Sequence, residues 1–311
     1  MTNNNSTQET INKVVKTIFV GLPAVGKSTM SNELCRLVKE KTGIALESTS
    51  SDLKFREVRK NAKHTVVQKF MKDNNIPASD FHLLIKTSDF IKKYGEPVFR
   101  DLESAVIVDM IKNGEFDGKI PNLGAKAMLH PQTASAFKRQ GYTVVYLTSD
   151  TKIIAEHISR DFEAMLDGAT ITRSPINNPI MDKLKHQFPN IASKSPKSFI
   201  AERCQRLKNL IQGKPQPLEE IHKFNKKLQK ESQMYNFRLE TRNQEALDII
   251  TKRSSRDDKL YKNVADVTVY LTNNLKENVN IICKTLGIDN LSSNANTNAI
   301  PNYCAHKAGR S

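Results

Sequence analysis

An α/β fold, in which helices cover a parallel sheet, is predicted from three short apolar segments and the helical patterns beside them. The first segment, Thr17–Val20, combines β-branched and aromatic residues and precedes a glycine-containing loop and a helical pattern. The other two, residues 142–148 and 265–271, are continuous apolar runs typical of strands that are buried on both faces of a sheet. The resulting alternation of strands and helices is characteristic of α/β proteins.

The length and composition of the chain are compatible with several classes of partner. Its 311 residues suit one large domain or two ordinary ones, at about 150 residues per domain. Hydrophobic residues make up 38% of the chain, which is enough for one core with polar additions. Lys and Arg number 48 against 33 Asp and Glu, so the net charge is +15. This excess suits phosphate-rich ligands, nucleic acid or an anionic membrane surface.

The cysteines and the hydropathy pattern predict a soluble cytoplasmic protein. The four cysteines are scattered without a C-x-x-C pair, as expected in a reducing compartment. No run approaches the ~18 apolar residues of a membrane span, and the polar N-terminus does not resemble a secretion signal. We therefore expect no association with a membrane.

The pattern along the chain predicts a core at residues 17–288 between two flexible tails. The tails, residues 1–16 and 289–311, are rich in Asn, Ser and Thr and poor in apolar residues. Two helical insertions are predicted within the core. The first, at about 53–93, is a Lys-rich pair of helices, and the second, at about 177–248, begins among prolines and carries much of the excess positive charge.

The loop after the first strand matches the phosphate-binding pattern G-x-x-x-x-G-K-[ST] without a mismatch. Its residues are Gly21, Leu22, Pro23, Ala24, Val25, Gly26, Lys27, Ser28 and Thr29. In such a P-loop, backbone N–H groups and the following helix N-terminus bind phosphate, Lys27 reaches the β- and γ-phosphates, and Ser28 ligates Mg²⁺. The motif therefore predicts a site for ATP and Mg²⁺.

Three further segments resemble motifs of the shikimate kinase family, and they occur in the family's order. Residues 95–103 read GEPVFRDLE, which matches the pattern G-E-x-x-F-R-x-x-E that opens the family's substrate helix. Residues 141–147 are similar to the strand after the family's glycine-rich loop, and residues 260–269 match L-Y-x-x-x-A-D-x-x-V before the last strand. The resemblance implies a P-loop kinase fold with helical insertions in the substrate-binding and lid regions.

The resemblance also implies roles for three side chains of the substrate site. Arg100 binds the carboxylate of the substrate, and Glu103, one helical turn later, orients Arg100 or meets a substrate hydroxyl. Asp52 accepts a hydrogen bond from the reacting hydroxyl and can take its proton. The alternative for Arg100 and Glu103 is an exposed ion pair on a helix surface.

Two departures from the family pattern concern the metal and the substrate. The family has D-x-D where this chain has Ser50 and Asp52, so either Asp52 serves both Mg²⁺ and substrate, or Glu47 or Glu103 compensates. Residues 122–127 align with the family's G-G-G-A loop, in which only Gly124 remains. Lys126 in this loop either contacts an acidic substrate or is solvated, and the sequence leaves both possibilities open.

The resemblance places three arginines around the bound molecules. Arg173, close before a proline, corresponds to the lid arginine that covers the phosphates, and Arg160 is placed near the adenine. Arg256 is the candidate for a second contact to the substrate carboxylate, with Arg253 as its reserve, although surface arginines are usually solvated.

The function predicted from these residues is ATP-dependent phosphoryl transfer to a hydroxyl of a small anionic substrate, and the resemblance implies shikimate. Lys27, Asp52 and Arg173 are the predicted catalytic residues. Alternatives are a degenerate nucleotide-binding protein that acts as a switch or scaffold, and a kinase with another substrate, including nucleic acid. Nucleic acid is disfavoured because aromatic residues make up only 6% of the chain and Trp is absent. The basic lid insertion is a candidate surface for a protein partner.

Overall fold

The structure is a computed structural model in which most of the chain can be described. The described residues are 3–85, 87–124, 126–166, 174–187, 201–202, 205, 209 and 218–291. Arg173 and Ala125 therefore lie outside the described residues, as do residues 292–311 of the expected C-terminal tail.

Within these ranges, five strands form one parallel sheet. The strands are β1 (Thr17–Val20), β2 (Glu47–Ser50), β3 (Lys119–Asn122), β4 (Thr143–Ser149) and β5 (Val267–Leu271). Their order across the sheet is β2-β3-β1-β4-β5, so that β1 lies in the centre. Phe19 on β1 is in register with Asn122 on β3 and with Val145 on β4. The sheet is the parallel one predicted for a P-loop kinase fold.

The helices of the described ranges lie between and beyond these strands. They are α1 (Asn3–Val15), α2 (Lys27–Thr42), α3 (Ser51–Val58), α4 (Thr65–Asp73), α5 (Phe81–Ile85), α6 (Thr87–Tyr94), α7 (Glu96–Lys112), α8 (Pro131–Arg139), α9 (Thr151–Leu166), α10 (Ser174–Gln187), α11 (Leu218–Val264) and α12 (Leu275–Thr285). Short 3-10 helices are formed by Ala78–Asp80, Ala127–Leu129 and Asp289–Leu291. None of the helices in the described part of the chain has both the length and the apolar character that a membrane crossing requires.

The N-terminal segment differs from the flexible tail expected at residues 1–16. Residues 3–15 form α1, in which Ile11, Val14 and Val15 are buried. These apolar residues are few, but their spacing of three and four places them on one helical face. The hydroxyl of Thr17 donates a hydrogen bond of 2.7 Å to Lys13 O, which ties the end of α1 to the start of β1. At the other end, Leu291 is also buried.

The chain divides into two compact units. The first comprises residues 1–150 and 253–294 and holds the whole sheet, and the second includes residues 151–252. In the second unit, an ion pair between Lys183 and Glu245 connects α10 with α11. The insertion boundaries at 53–93 and 177–248 remain predictions. The first stretch is helical as expected, but it contains α3, α4, α5 and α6 where a pair of helices was predicted.

Parallel strands place the loops that follow β1, β2 and β3 at one edge of the sheet, where α/β proteins bind their ligands. The P-loop follows β1, Ser51 and Asp52 follow β2, and Leu123 and Gly124 follow β3. The candidate site is therefore assembled from segments that are far apart in the sequence.

Candidate active site

The P-loop connects β1 to α2, and two of its glycines adopt backbone angles that other residues avoid. Gly21 has φ +141°, and a Cβ there would lie 2.3 Å from the carbonyl oxygen of Leu147 on β4. Gly26 has φ 110° and is the N-cap of α2. The loop therefore packs closely against β4 and leads directly into α2. In this arrangement, backbone N–H groups at the helix N-terminus can bind phosphate.

Lys27 lies across this loop. Its Nζ donates to the carbonyl oxygens of Gly21, at 3.0 Å, and of Leu22, at 2.9 Å. The ammonium is half-buried, and its charge lowers the pKa of the nearby Asp52 carboxyl, against the larger effect of desolvation. These residues suit a triphosphate, because the lysine can exchange the two carbonyl contacts for phosphate oxygens on the same side of the loop.

Ser28 is held by a residue that the sequence analysis did not select. Asn122, the last residue of β3, donates from Nδ2 to Ser28 Oγ at 2.8 Å. The exposed hydroxyl of Ser28 is therefore oriented by a neutral amide. A polar side chain at the end of a strand next to β1 is the signal that could have identified Asn122.

Gly124 lies next to two carboxylates of the candidate site, those of Asp52 and Glu103. A Cβ at this position would lie 2.6 Å from Oδ1 of Asp52 and 3.4 Å from Oε1 of Glu103. The backbone N–H of Gly124 donates to Ser51 Oγ at 3.3 Å, which ties the loop after β3 to the first turn of α3. The remaining glycine of the altered loop is therefore required by the close approach of both acids.

Gly124→Ala tests this close approach. Its backbone conformation is available to alanine, but the added methyl group overlaps the Asp52 carboxylate. If Asp52 takes part in the phosphoryl transfer that the sequence predicts, we expect a fall of about 10–100-fold in kcat, because displacing a reacting group by about 1 Å has costs of this order. The unfolding temperature and the affinity for ATP serve as internal controls and should change little. A variant with wild-type kcat would contradict the contact between Gly124 and Asp52.

Arg100 lies between two glutamates at the start of α7. Its Nη1 is 2.8 Å from Glu103 Oε2, and its Nη2 is 3.2 Å from Glu96 Oε1. The guanidinium also lies over the Phe99 ring, 5.3 Å from its centroid. Glu103 is buried and Arg100 is 29% exposed, so this pair is not the exposed surface pair considered as the alternative.

The two central acids have raised pKa values. Solvent reaches Asp52, yet the protein around its carboxyl partly desolvates it and raises its pKa above the ordinary value, while the charges of Lys27, Arg100 and Arg56 oppose this rise. Burial likewise raises the pKa of Glu103, against the opposing effect of Arg100. The pKa of each acid is therefore higher than the ordinary value for its side chain.

Of the two residues considered as substitutes for the missing acid at Ser50, only Glu103 lies in this cluster. Glu47 begins β2, whereas Ser50 ends it, and the site lies at the carboxyl end of the strand. Ser50 is the N-cap of α3 and accepts a hydrogen bond of 3.4 Å from Leu53 N. Among the described side chains, no three of the types His, Cys, Asp and Glu form a metal cluster. Ser28 and Asp52 are the oxygen donors that suit Mg²⁺ here.

The arginines predicted around the substrate lie on α11. Arg256 is exposed and forms two hydrogen bonds with the buried Asp257, of 2.6 and 3.0 Å. Arg253 is half-buried, and burial lowers its pKa, assisted by the charge of Arg256. The charges of both arginines act on Glu96. Arg160 is exposed on α9, in the second unit.

Lys126 contacts an acid of this chain. Its Nζ is 3.0 Å from Glu96 Oε1, the same oxygen that Arg100 contacts. Its side chain is 26% exposed, so the solvated lysine considered as one alternative is not what the structure contains.

Comparison with known proteins agrees with the motifs. The family model described as shikimate kinase matches residues 81–208. A solved structure, the shikimate kinase from Bacteroides thetaiotaomicron, is 13% identical, covers 87% of this chain and 97% of its own, and superposes with a TM-score of 0.44. No curated protein matches the chain. Over residues 81–208 the chain is similar to shikimate kinases, as the motifs at 95–103 and 141–147 predicted.

Proposed function

We propose that this chain is a cytoplasmic kinase that transfers the γ-phosphoryl group of ATP to a hydroxyl of a small anionic substrate. The observation that supports this proposal is the assembly of a P-loop lysine, an acid and an arginine at the carboxyl edge of one parallel sheet. Lys27 and Arg100 both act electrostatically on Asp52, so the three groups share one site within the first unit. Shikimate is the substrate that the resemblance implies and the first to be tested.

The P-loop and its neighbours would bind the nucleotide. Gly21 to Thr29 would enclose the phosphates, while Lys27 would leave the Gly21 and Leu22 carbonyls and pair with the β- and γ-phosphates. Ser28, oriented by Asn122, and Asp52 would hold Mg²⁺, which supplies charge neutralisation at the phosphates when bound. Arg173 and Arg160 are proposed for the phosphates and the adenine from the resemblance alone.

Asp52 would act on the attacking hydroxyl. The substrate oxygen forms a bond to the γ-phosphorus, its proton passes to a carboxylate oxygen of Asp52, and the bond from phosphorus to the leaving oxygen of ADP breaks. A raised pKa suits this role, because the acceptor is then closer in basicity to neutral conditions. Lys27 stabilises the charge that develops on the transferred group.

The pH profile should report the ionisation of Asp52. The acid must be deprotonated to accept the proton, so kcat/KM falls as the pH drops through its pKa. Because desolvation raises that pKa, the fall should occur at higher pH than for an ordinary aspartate. Arg56→Gln removes an opposing charge and should shift the fall to still higher pH, whereas Arg139→Gln, on the exposed end of α8, should not. A shift to lower pH in Arg56→Gln would contradict this assignment.

Arg100 and Glu103 would orient the acid group of the substrate. The charge of Arg100 is balanced by the buried Glu103, and an acid group of the substrate would take the place of Glu96 at Nη2 of Arg100. Arg256, with Arg253, would complete the contact from α11.

Arg100→Lys keeps the charge but loses the bidentate geometry. We expect the KM of the anionic substrate to rise about tenfold or more, while the KM of ATP stays within about twofold. The matched control is Arg36→Lys, since Arg36 also lies between glutamates three and four residues away, on the exposed side of α2. Equal effects of the two substitutions on KM would show that Arg100 is not a substrate contact.

One observation favours a second candidate, in which the chain binds nucleotide without transferring phosphate. The position of the family's first aspartate is occupied by Ser50, whose hydroxyl is engaged in capping α3. A switch or scaffold would need the P-loop but neither Asp52 nor Arg100.

Release of ADP from ATP should be measured in the presence of shikimate and a panel of hydroxy acids, with product detection by mass spectrometry. Phosphorylated product from any panel member supports the proposal, and its identity names the substrate class. ATP binding without product, together with unchanged nucleotide affinity in Asp52→Asn, supports the nucleotide-binding protein instead. Absence of ATP binding would contradict both candidates.

A further inference from the structure

The first half of α11 contains a strongly basic segment. Residues 222–237 include four lysines and one acid, Glu231, so the segment has a net charge of +3. Glu220 and Glu219 precede it by three and four residues from Lys223, which is the spacing of an ion pair within a helix. The other three lysines lie further along the helix, and their side chains are exposed: Lys226, Lys227 and Lys230.

The same segment is accessible along its length. Among the described side chains of residues 222–237, none is buried, whereas Arg238 and Arg242, which follow, are buried. Phe237 is 57% exposed, although phenylalanine is among the residues that proteins most often bury. A large exposed aromatic surface next to a basic one is typical of a surface that binds another molecule.

The lysines and the exposed phenylalanine lie on one seam of the helix. Steps of four and three residues in alternation keep side chains on one face of a helix, as in a coiled coil. Starting from the first lysine of the segment, this seam consists of Lys223, Lys227, Lys230, Met234, Phe237 and Thr241. It extends for about 27 Å, at about 1.5 Å per residue. The seam is therefore basic over its first half and apolar at the two positions that follow.

This order of charge and apolar surface favours a protein helix over other anionic partners. Nucleic acid is typically bound by arginines and several aromatic residues, whereas the cations of this seam are all lysines and Phe237 is its one aromatic residue. A membrane binds helices whose apolar and charged faces lie on opposite sides, and here both kinds of residue share one seam.

A second copy of this chain does not match the seam either. Parallel pairing with itself would place lysine opposite lysine. Antiparallel pairing would place the lysines opposite Thr241, Phe237 and Met234, so neither arrangement neutralises their charge. A helix of another protein, acidic along one half and apolar along the other, complements both halves.

We propose that residues 223–241 of α11 bind an amphipathic helix of a partner protein, whose contact seam is acidic opposite the lysines and apolar opposite Met234 and Phe237. Carboxylates at steps of three and four residues would pair with the lysines, and Phe237 would be the main apolar contact. This proposal goes beyond the proposed kinase activity, because the seam belongs to the second unit, whereas Lys27 and Asp52 belong to the first.

The test measures the binding of designed helical peptides to the full chain by fluorescence anisotropy. Two peptides of about three heptads have Glu along one half of their seam and Leu along the other, in the two possible orders, so that both parallel and antiparallel pairing are tested. A third peptide has the same composition in scrambled order. Single-stranded RNA and phosphatidylserine vesicles test the other two classes of partner. We expect one designed peptide to bind about tenfold more tightly than the scrambled peptide, and more tightly than RNA or vesicles.

Charge reversal assigns this preference to the seam. Lys227→Glu combined with Lys230→Glu should weaken the designed peptide about tenfold, and a peptide with Lys in place of Glu should bind this variant more tightly than it binds the wild type. Phe237→Ala should also weaken binding about tenfold. The matched control combines Lys69→Glu with Lys72→Glu, two exposed positions on α4 that change the net charge by the same amount, and it should bind as the wild type does. Thermal unfolding and helix content by circular dichroism verify that each variant is folded.

Four outcomes would overturn the proposal. They are equal affinities for the designed and scrambled peptides, no binding of either designed peptide at about 100 μM, an equal loss of affinity in the control variant, and tighter binding of RNA or vesicles. A peptide preference that follows the charge reversal supports the proposal, whether or not the protein phosphorylates any hydroxy acid.

Discussion

Lys27→Ala is expected to lower the kcat of phosphoryl transfer about 10³-fold. A group that stabilises developing charge in a preorganised site contributes an effect of this size, and the lysine lies at the loop that would enclose the phosphates. The fold should survive, because the side chain of Lys27 is half-buried and its Nζ contacts carbonyl oxygens of the P-loop. Initial rates at saturating substrate, together with the unfolding temperature, measure both parts of this expectation.

The control for this variant is Lys39→Ala. Lys39 is exposed on the same helix, α2, so its replacement removes an equal charge outside the site. Its kcat should equal that of the wild type. If Lys27→Ala retains wild-type turnover and ATP affinity, the P-loop does not bind a nucleotide in the manner proposed.

Asp52→Asn is expected to have the second largest effect, a fall of about 10²–10⁴-fold in kcat. The amide keeps the shape of the side chain beside Gly124 but cannot accept the proton of the attacking hydroxyl. The KM of the anionic substrate should change little, since Arg100 is left in place, whereas the KM of ATP should rise, because Asp52 is also a proposed ligand of Mg²⁺. Single-turnover measurements of product formation separate this chemical step from product release.

Asp73→Asn is the matched control for the second variant. Asp73 is exposed at the end of α4, so its replacement by Asn changes the charge by the same amount at a position outside the candidate site. A fall in kcat shared by both variants would attribute the effect to net charge. A wild-type rate in Asp52→Asn alone would assign proton acceptance to another group.

Local sequence patterns predicted the strands of the sheet only where those strands are apolar. The prediction located β1, β4 and β5 to within about two residues. β2 was missed because Glu47–Ser50 is wholly polar and lies at an edge of the sheet. β3 was missed because Pro121 has no N–H to donate and is unusual in an inner strand, although it pairs with Thr49.

The site was predicted as separate motifs, but its arrangement depends on tertiary contacts. The P-loop and the pair of Arg100 and Glu103 follow from local spacing, since each lies within one loop or one helical turn. Glu96 and Lys126 are 30 residues apart, and Asn122 and Ser28 are 94 residues apart. No local pattern encodes such pairs, because they depend on the order of the strands in the sheet.

The neutral amide of Asn122 beside Ser28 has a consequence for how a metal ion and a nucleotide would bind. Asn122 orients the hydroxyl without adding negative charge, and Ser50 on the neighbouring loop is neutral as well. Asp52 is the carboxylate proposed as a ligand there, so the rest of the charge of a divalent cation would be balanced by the phosphates that accompany it. Ser28 and Asp52 would therefore hold Mg²⁺ mainly together with the phosphates of a bound nucleotide, and we expect free nucleotide to compete with the Mg²⁺ complex for the P-loop.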